Sequence, residues 1–309
     1  MKDLPKISIV IPSFNQGKYI GETLDSLLNQ NYSNLELIVI DGGSTDNTVE
    51  VISKYEKHLK YWVSEKDKGQ SHAINKGFEH VTGDLFNWLN SDDKLEPGAL
   101  ASISNCFSTH PEKKVFTGKT QFFSELGLKG VSGKIIFNEV ETTIGFGQIN
   151  QPAMFYRTEI FKQFTPLNEN LHMCMDLDIW LRFLLTYGIH AVFQSDTTWA
   201  AFRFHENSKT ISSIGGFYPE KNAIYEELLD EKSSADEFSI SLNLKKYPAC
   251  SERQLKKISS SYHLWMADEF SMNKKMEEAK KHFSKSHFFT TSKSEKRRFL
   301  AIYKRLLIG

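Results

Sequence analysis

Ile7-Ser8-Ile9-Val10-Ile11-Pro12 is a short, almost unbroken β-branched run closed by a proline. A run of this length and character reads as a strand buried on both faces, because a half-solvated strand would alternate apolar with polar positions. The turn Ser13-Phe14-Asn15-Gln16-Gly17 follows, and then Ile20, Leu24, Leu27 and Leu28 recur at helical spacing. Leu35-Glu36-Leu37-Ile38-Val39-Ile40 repeats the strand signal and ends in Asp41-Gly42-Gly43-Ser44, before a second helix through Val49, Val51, Ile52 and Tyr55. This β-α-β-α rhythm predicts an α/β domain with a mostly parallel sheet flanked by helices. Ligands of such sheets bind at the carboxyl ends of the strands, where Pro12-Ser13 and Asp41-Gly42 lie.

Two nucleotide-binding classes fall at once. No G-x-G-x-x-G follows the first strand and the chain contains no G-x-x-x-x-G-K-[ST], so neither a dinucleotide fingerprint nor a phosphate loop is present. Further along, Tyr61–Ser64 reads as a short strand, Ser71–Val81 as a helix and Leu85–Leu89 as another buried strand. That last run breaks into Asn90-Ser91-Asp92-Asp93. Adjacent carboxylates at a strand end repel each other unless a cation or a donor satisfies them. A hard divalent ion holding phosphate oxygens suits them, and a solvated turn into Pro97-Gly98 is the bland alternative. Asp41 likewise has two readings. It is either a fixed acceptor for a base N–H or ribose hydroxyl, or an Asx-type turn before the next helix. Val115–Ile149, with its scattered glycines, reads as small strands and loops, and Gly118–Gly147 as a candidate lid. Ala191–Phe193 and Thr198–His205 read as separate extended pieces, and Met175–Asp178 leads into an apolar helix. Asp176 and Asp178 are two apart at its start, so only one need face a cleft while the other caps the helix. Trp88, Trp180 and Trp199 read as core.

Charge is unevenly spread. Lys245–Gly309 holds 16 Lys and Arg against 6 Asp and Glu, and the preceding 244 residues hold 22 against 32. The acidic part argues against nucleic acid as a partner, and the basic region invites an anionic membrane surface. Cys106, Cys174 and Cys250 are widely spaced, which argues against a disulfide scaffold or thiolate metal site. With no signal-like apolar region near the start and no apolar run of spanning length, the expectation is a cytoplasmic protein, peripheral on the inner face of the membrane if attached. From about residue 218 the pattern turns helical: Glu220–Glu231, a hinge at Lys232–Asp236, then segments near Glu252–Phe270, Lys274–Phe283 and Ser294–Leu307. The last carries Lys296-Arg297-Arg298 and Lys304-Arg305 among Phe299, Leu300, Ile302, Leu306 and Leu307. It reads either as a helix lying on an anionic bilayer or as a packed helix with a solvated basic face.

The ordered set of motifs adds a resemblance. Val10-Ile11-Pro12-Ser13-Phe14-Asn15, Val39 to Thr48, Asp67 to Gly77, Gly83-Asp84, Trp88 to Asp93, Asn150-Gln151-Pro152-Ala153, Met175 to Arg182 and Arg203 to Ser208 together resemble family 2 glycosyltransferases of the GT-A fold, over roughly residues 5–212. The nearest likeness by motif is to bacterial enzymes of surface-polysaccharide assembly, such as O-antigen or capsule. The resemblance implies a domain over 1–218, with a nucleotide-binding part to about 110 and an acceptor part to 218. A helical basic region at 219–309 stands outside it.

Carried over by position, Pro12 and Phe14 line the base pocket and Asp41 binds the base. Asp67, Gly69 and Asn75 border the nucleotide and sugar, Asp92 meets ribose or sugar hydroxyls, and Asp93 ligates the metal with His205. Asp176 is the general base. Ser91 stands where relatives often carry another acid, and Met175 where many carry Glu. The implied reaction is inverting, Mn²⁺- or Mg²⁺-dependent transfer of a sugar from a nucleotide-sugar, a UDP-sugar first, to a glycan or lipid-linked saccharide. The alternatives are a nucleotide-sugar-binding protein of the same fold without transfer activity, and a scaffold that docks through its basic region.

Overall fold

The computed structural model describes residues 4–125, 127, 129–206, 208–209, 214–229, 250–287 and 293–308. Its strands are β1 Ile7–Ser13, β2 Leu35–Asp41, β3 Tyr61–Ser64, β4 Leu85–Trp88, β5 Lys94–Leu95, β6 Val115–Ser124, β7 Lys129–Val131, β8 Met154–Arg157 and β9 Val192–Phe204. They form one sheet in the order β3-β2-β1-β4-β8-β6-β9-β5, with β7 on β6. β1 lies between β2 and β4, parallel to both, and β2 is parallel to β3. Beyond β4 the sheet changes character: β8 is antiparallel to β4 and β6, β9 runs parallel to β6, and β5 is antiparallel to β9. The mostly parallel expectation therefore describes the first four strands, and the sheet as a whole is mixed.

Every residue of β1 is buried, as its unbroken apolar run requires. Ile7, Ile9 and Ile11 pack with Leu37 and Val39 of β2 and with Ile20, Leu24 and Leu27 of the first helix, α1 Ile20–Leu28. Trp88, Trp180 and Trp199 are buried as core residues.

Two readings of the later sequence are corrected. Ala191–Phe193 and Thr198–His205 belong largely to one strand, β9, which carries the polar Gln194-Ser195-Asp196 through its middle. Val115–Ile149 holds strands in mixed pairing, as expected, but they belong to the main sheet and the stretch also contains a helix. β6 sits between β8 and β9 in the sheet, and Val140–Phe146 is a helix. The Gly118–Gly147 stretch is thus no single lid.

Packing divides the chain into two compact units, Met1–Lys134, Asn150–Ile179 and His190–Tyr218 in one, and Ile135–Ile149, Trp180–Ile189 and Pro219–Gly309 in the other. Helices at Ile214–Leu229, Glu252–Met272, Met276–Lys285 and Lys293–Ile308 form the C-terminal extension. The hinge expected at 232–236 lies outside the described residues. Among the described residues no helix is long and apolar enough to cross a membrane.

At the amino end of the sheet, Glu36 of β2 ties four segments together. Its carboxylate accepts from Ser8 Oγ at 2.6 Å, from Lys60 Nζ at 2.7 Å and from the N–H and hydroxyl of Thr82, with Lys6 Nζ 3.4 Å away. Burial alone would raise its pKa, but the bonds from Lys60, Ser8 and Thr82 outweigh burial and hold it down at about 2. A depressed folded pKa stabilises the fold above the ordinary value of 4.5, and the benefit is lost as pH falls through about 2. Glu36→Gln is therefore expected to cost on the order of 2 kcal/mol at pH 7. Urea midpoints of variant and wild type at pH 7 and pH 2.5 check this, because the gap must narrow in acid.

Candidate active site

Most of the expected site residues lie at the carboxyl end of the parallel strands, and all of them fall within the first unit. Register places Ser13, Asp41 and Ser64 side by side on β1, β2 and β3. Asp41 is fully buried, and its carboxylate is occupied by its own surroundings. Oδ2 accepts from the N–H groups of Gly43 and Ser44 at 3.2 and 2.9 Å and from Ser64 Oγ at 2.6 Å, while Oδ1 accepts from Ser44 Oγ at 2.5 Å. This is the Asx-type turn of the bland reading, with spare acceptor capacity on Oδ1. Gly43 sits at φ +82° against the backbone of Lys66, where a side chain would be strained and crowded. At Gly42 a Cβ would fall 2.7 Å from Asp67 Oδ2, so its absence lets that half-buried carboxylate lie over the turn.

On the facing loop, Asn15 donates its N–H to Ser44 Oγ, and its Oδ1 accepts from Thr45 N. Pro12 is buried, whereas Phe14 is 58% exposed at the strand end, an apolar face with no core to join. Of the residues expected near the donor sugar, Gly69 (φ +112°) caps the helix α3 Gln70–Phe78 and donates its N–H to Asp67 Oδ1. Asn75 is committed elsewhere. Its amide brackets Leu167, donating to the carbonyl and accepting from the N–H, which pins that loop onto α3.

The acid pair separates into two roles. Asp93 is fully buried. Its Oδ1 accepts from the backbone N–H of Arg203 on β9 at 3.0 Å, and its Oδ2 from Asn90 Nδ2 at 3.3 Å. Burial, reinforced by the charge of Asp92, pushes its pKa well above the usual carboxylate range. Asp92 points the other way. Its Oδ2 lies 2.9 Å from His205 Nε2, a residue 113 positions later. Arg203 locks the arrangement, donating from Nε to the Asp92 carbonyl and from Nη2 to Glu22, with its guanidinium over Tyr19 and Phe123. The His205 ring stands 4.6 Å from that of Tyr19, and its Nδ1 has no hydrogen-bond partner among the described residues.

This donor set fits a small hard cation. Two cis ligands of an octahedral ion at about 2.1 Å stand about 3 Å apart, close to the Asp92–His205 separation. No group of three or more His, Cys, Asp or Glu among the described residues is arranged to hold a metal. A cation here would have two protein donors and would take its others from phosphate and water, the usual manner of Mg²⁺. The expectation for Asp93 as direct ligand does not fit its orientation, its two oxygens being taken by the N–H groups of Arg203 and Asn90 while Asp92 meets His205, and the place two residues before the outward acid is then Asn90, not Ser91.

One basic residue here escaped the sequence reading. Lys209 Nζ donates to Gln70 Oε1 at 2.8 Å and to the His172 carbonyl at 2.9 Å, and Gln70 Nε2 donates to Asn90 Oδ1 at 2.7 Å. It has no distinguishing pattern in the sequence beyond lying four residues after His205. Asp176 opens the helix α7 Met175–Tyr187 and is half-buried, accepting from the N–H of Leu177 at 2.8 Å. Asp178 is buried, so of the two it is Asp176 that retains access to solvent. Burial, aided by the charge of Asp176, pushes up the pKa of Tyr156 on β8, and Tyr156 pairs with Phe86 of β4. Asp176 thus lies close enough for its charge to be felt at Tyr156. Gln151 secures the end of β4 by donating to the Trp88 carbonyl at 2.6 Å.

Strand order, crossovers and a site at the carboxyl ends of parallel strands define a Rossmann-like α/β class. Residues 8–172 match the family described as Glycosyl transferase family 2, and the chain belongs to that family. An uncharacterized glycosyltransferase of Rickettsia felis is 28% identical over 239 residues, covering 74% of this chain. The chain spans only 38% of that relative's length. Among solved structures, S. aureus TarS 1-349 in complex with UDP-GlcNAc is similar at a TM-score of 0.64 and 17% identity, over 98% of this chain and 92% of that one. Mannosyltransferase PcManGT from Pyrobaculum calidifontis, in complex with GDP-Man and Mn²⁺, gives 0.56 at 13% identity, over 100% of this chain and 82% of that one. At these identities the structural likenesses establish the fold alone.

Proposed function

We propose that the chain transfers a sugar from a nucleotide-sugar to a hydroxyl of a glycan or lipid-linked saccharide, with inversion, by the GT-A scheme, in surface-polysaccharide synthesis. The observation that carries this is the Asp92–His205 pair, which brings two distant motifs together just beyond the ends of β4 and β9. The Staphylococcus relative binds UDP-GlcNAc and the Pyrobaculum one GDP-Man with Mn²⁺. A UDP-sugar with Mn²⁺ or Mg²⁺ is therefore the first donor to try here.

In this reading Phe14 stacks on the base, and the free capacity of Asp41 Oδ1 takes a base N–H. Pro12, Asp67 and Gly69 shape the pocket wall. Asp92 and His205 hold the divalent ion, which when bound neutralises the diphosphate and stabilises it as leaving group. Asp93 is the buried anchor that fixes β9 and so aims the pair. Asp176 removes the proton from the acceptor hydroxyl as its oxygen attacks the anomeric carbon. The new C–O bond forms on the face opposite the departing nucleoside diphosphate, which carries away the electron pair of the broken bond. Asn75 organises the loop after β8 and does not touch the donor.

A panel of UDP- and GDP-sugars with Mn²⁺ or Mg²⁺ tests the reading, scored for thermal shift and for nucleoside diphosphate released on adding acceptor glycans. Binding without release would instead indicate a nucleotide-sugar-binding protein, and no binding at all would sink both. Lys209 supplies a further check. Its ammonium joins the Gln70–Asn90 network beside the acid pair, so it is placed to meet a donor phosphate. Lys209→Gln is expected to raise the donor KM by about tenfold, equivalent to about 1.4 kcal/mol, with kcat changed less. Steady-state kinetics at saturating acceptor measure it, and an unmoved donor KM would remove Lys209 from the phosphate site.

A further inference from the structure

The last basic helix has one packed face and one exposed face. Lys293–Ile308, numbered α11 here, buries Ile302 fully and packs Phe299 and Leu306 against Leu264 and Ala267 of the helix Glu252–Met272 and Phe283 of the helix Met276–Lys285. That inner face also uses two of its cations: Arg298 and Arg305 both pair with Asp268. Its one acid, Glu295, is buried and accepts from Ser261 Oγ at 2.6 Å. The outer face is a different surface. Leu300, Tyr303 and Leu307 are 50%, 48% and 68% exposed, three of the seven large apolar side chains that the described residues leave in solvent. A packed helix with only a solvated basic face gives no reason for this apolar stripe.

Helical geometry arranges the outer face. At 3.6 residues per turn Leu300 and Leu307 lie within about 20° of each other, with Arg297 and Lys304 about 40–60° to one side and Tyr303 and Lys296 about 40–60° to the other. Arg297 and Lys304 are exposed, and no carboxylate of the helix shares that face. Beside it Lys280, Phe283, Ser284, Tyr303, Leu306 and Leu307 line an open groove of about 200 Å³. An apolar centre flanked on both sides by cations matches the layered chemistry of a bilayer surface, hydrocarbon within and anionic headgroups at its edge.

We infer that the exposed face of α11 docks onto an anionic lipid bilayer, burying Leu300, Tyr303 and Leu307 in the headgroup–acyl boundary while Arg297 and Lys304 meet lipid phosphates. The inference rests on the C-terminal unit alone and stands whether or not the transferase reading does. The test is co-sedimentation of the full chain with extruded vesicles of phosphatidylglycerol and phosphatidylcholine, against pure phosphatidylcholine. Wild type binds the anionic vesicles, with an affinity that falls as salt rises. Reversing two charges, Arg297→Glu with Lys304→Glu, lowers partitioning by at least about 30-fold. Leu300→Asp with Leu307→Asp lowers it by at least tenfold. All four side chains are exposed, so helicity by circular dichroism stays at the wild-type value in both variants. Three results each overturn the inference. They are wild type remaining in the supernatant with anionic vesicles, equal binding to neutral ones, or both variants sedimenting like wild type. A concentration-dependent dimer abolished by the leucine substitutions, with no vesicle binding, would overturn it too by assigning the face to a second copy of the chain.

Discussion

Asp176→Asn is expected to slow sugar transfer by ~10²-fold or more while donor affinity stays within a few-fold. The substitution is nearly isosteric, and the amide oxygen still accepts the Leu177 N–H that positions the side chain. What it removes is the capacity to take a proton, so the loss falls on the chemical step. The neighbouring acid supplies the control. Asp178 is buried in the first turn of the same helix, and Asp178→Asn is expected to lower thermal stability before it lowers turnover per folded molecule. Single-turnover rates with calorimetric donor binding separate the two. Turnover of Asp176→Asn near wild type would mean that another group accepts the proton.

How far the sequence reaches depends on whether the decisive contacts are local. β1 and β2 were legible because a strand buried on both faces must be apolar throughout, whatever lies beside it. β9 was not, because Gln194-Ser195-Asp196 interrupts the apolar run while the backbone continues beside β6. Val140–Phe146 was missed as a helix because its Thr-Thr-Ile-Gly stretch has weak helix propensity, and helical stability of such segments comes from packing that periodicity does not record. The same division runs through the site. Helix spacing said only that one of Asp176 and Asp178 need face a cleft, the resemblance chose Asp176, and the Asx turn at Asp41 was one of two local readings. The choice between Asp92 and Asp93 was not local. It turns on where the Arg203 N–H falls, a contact between residues 110 positions apart. Motif resemblance identified both acids without that backbone donor, and so assigned the metal to the buried one. The commitment of Asn75 was hidden for a like reason, its partner being the backbone of Leu167.

That division of labour between Asp92 and Asp93 carries the second large effect. Asp92→Ala is expected to abolish the part of donor affinity that depends on a divalent ion, a loss of tenfold or more, because the nitrogen of His205 is then the only donor left of the pair. His205→Ala is expected to do the same from the other side. Asp93→Asn behaves differently. Its amide oxygen still accepts the shorter bond, from the Arg203 N–H, at the loss of the longer one from Asn90, its charge is already disfavoured by burial and by Asp92, and the neutral side chain removes a repulsive neighbour. Folding and the divalent increment should therefore both survive it. Asp93→Ala is harsher, leaving a buried N–H without a partner at a cost of about 1–3 kcal/mol, a loss of stability that would be mistaken for lost binding if the two were not measured apart. Titration of donor into each variant with and without Mn²⁺, alongside thermal melts, resolves the cases. If Asp93→Asn alone eliminated the divalent increment, the buried acid would have to turn outward on binding, and β9 would have to release it.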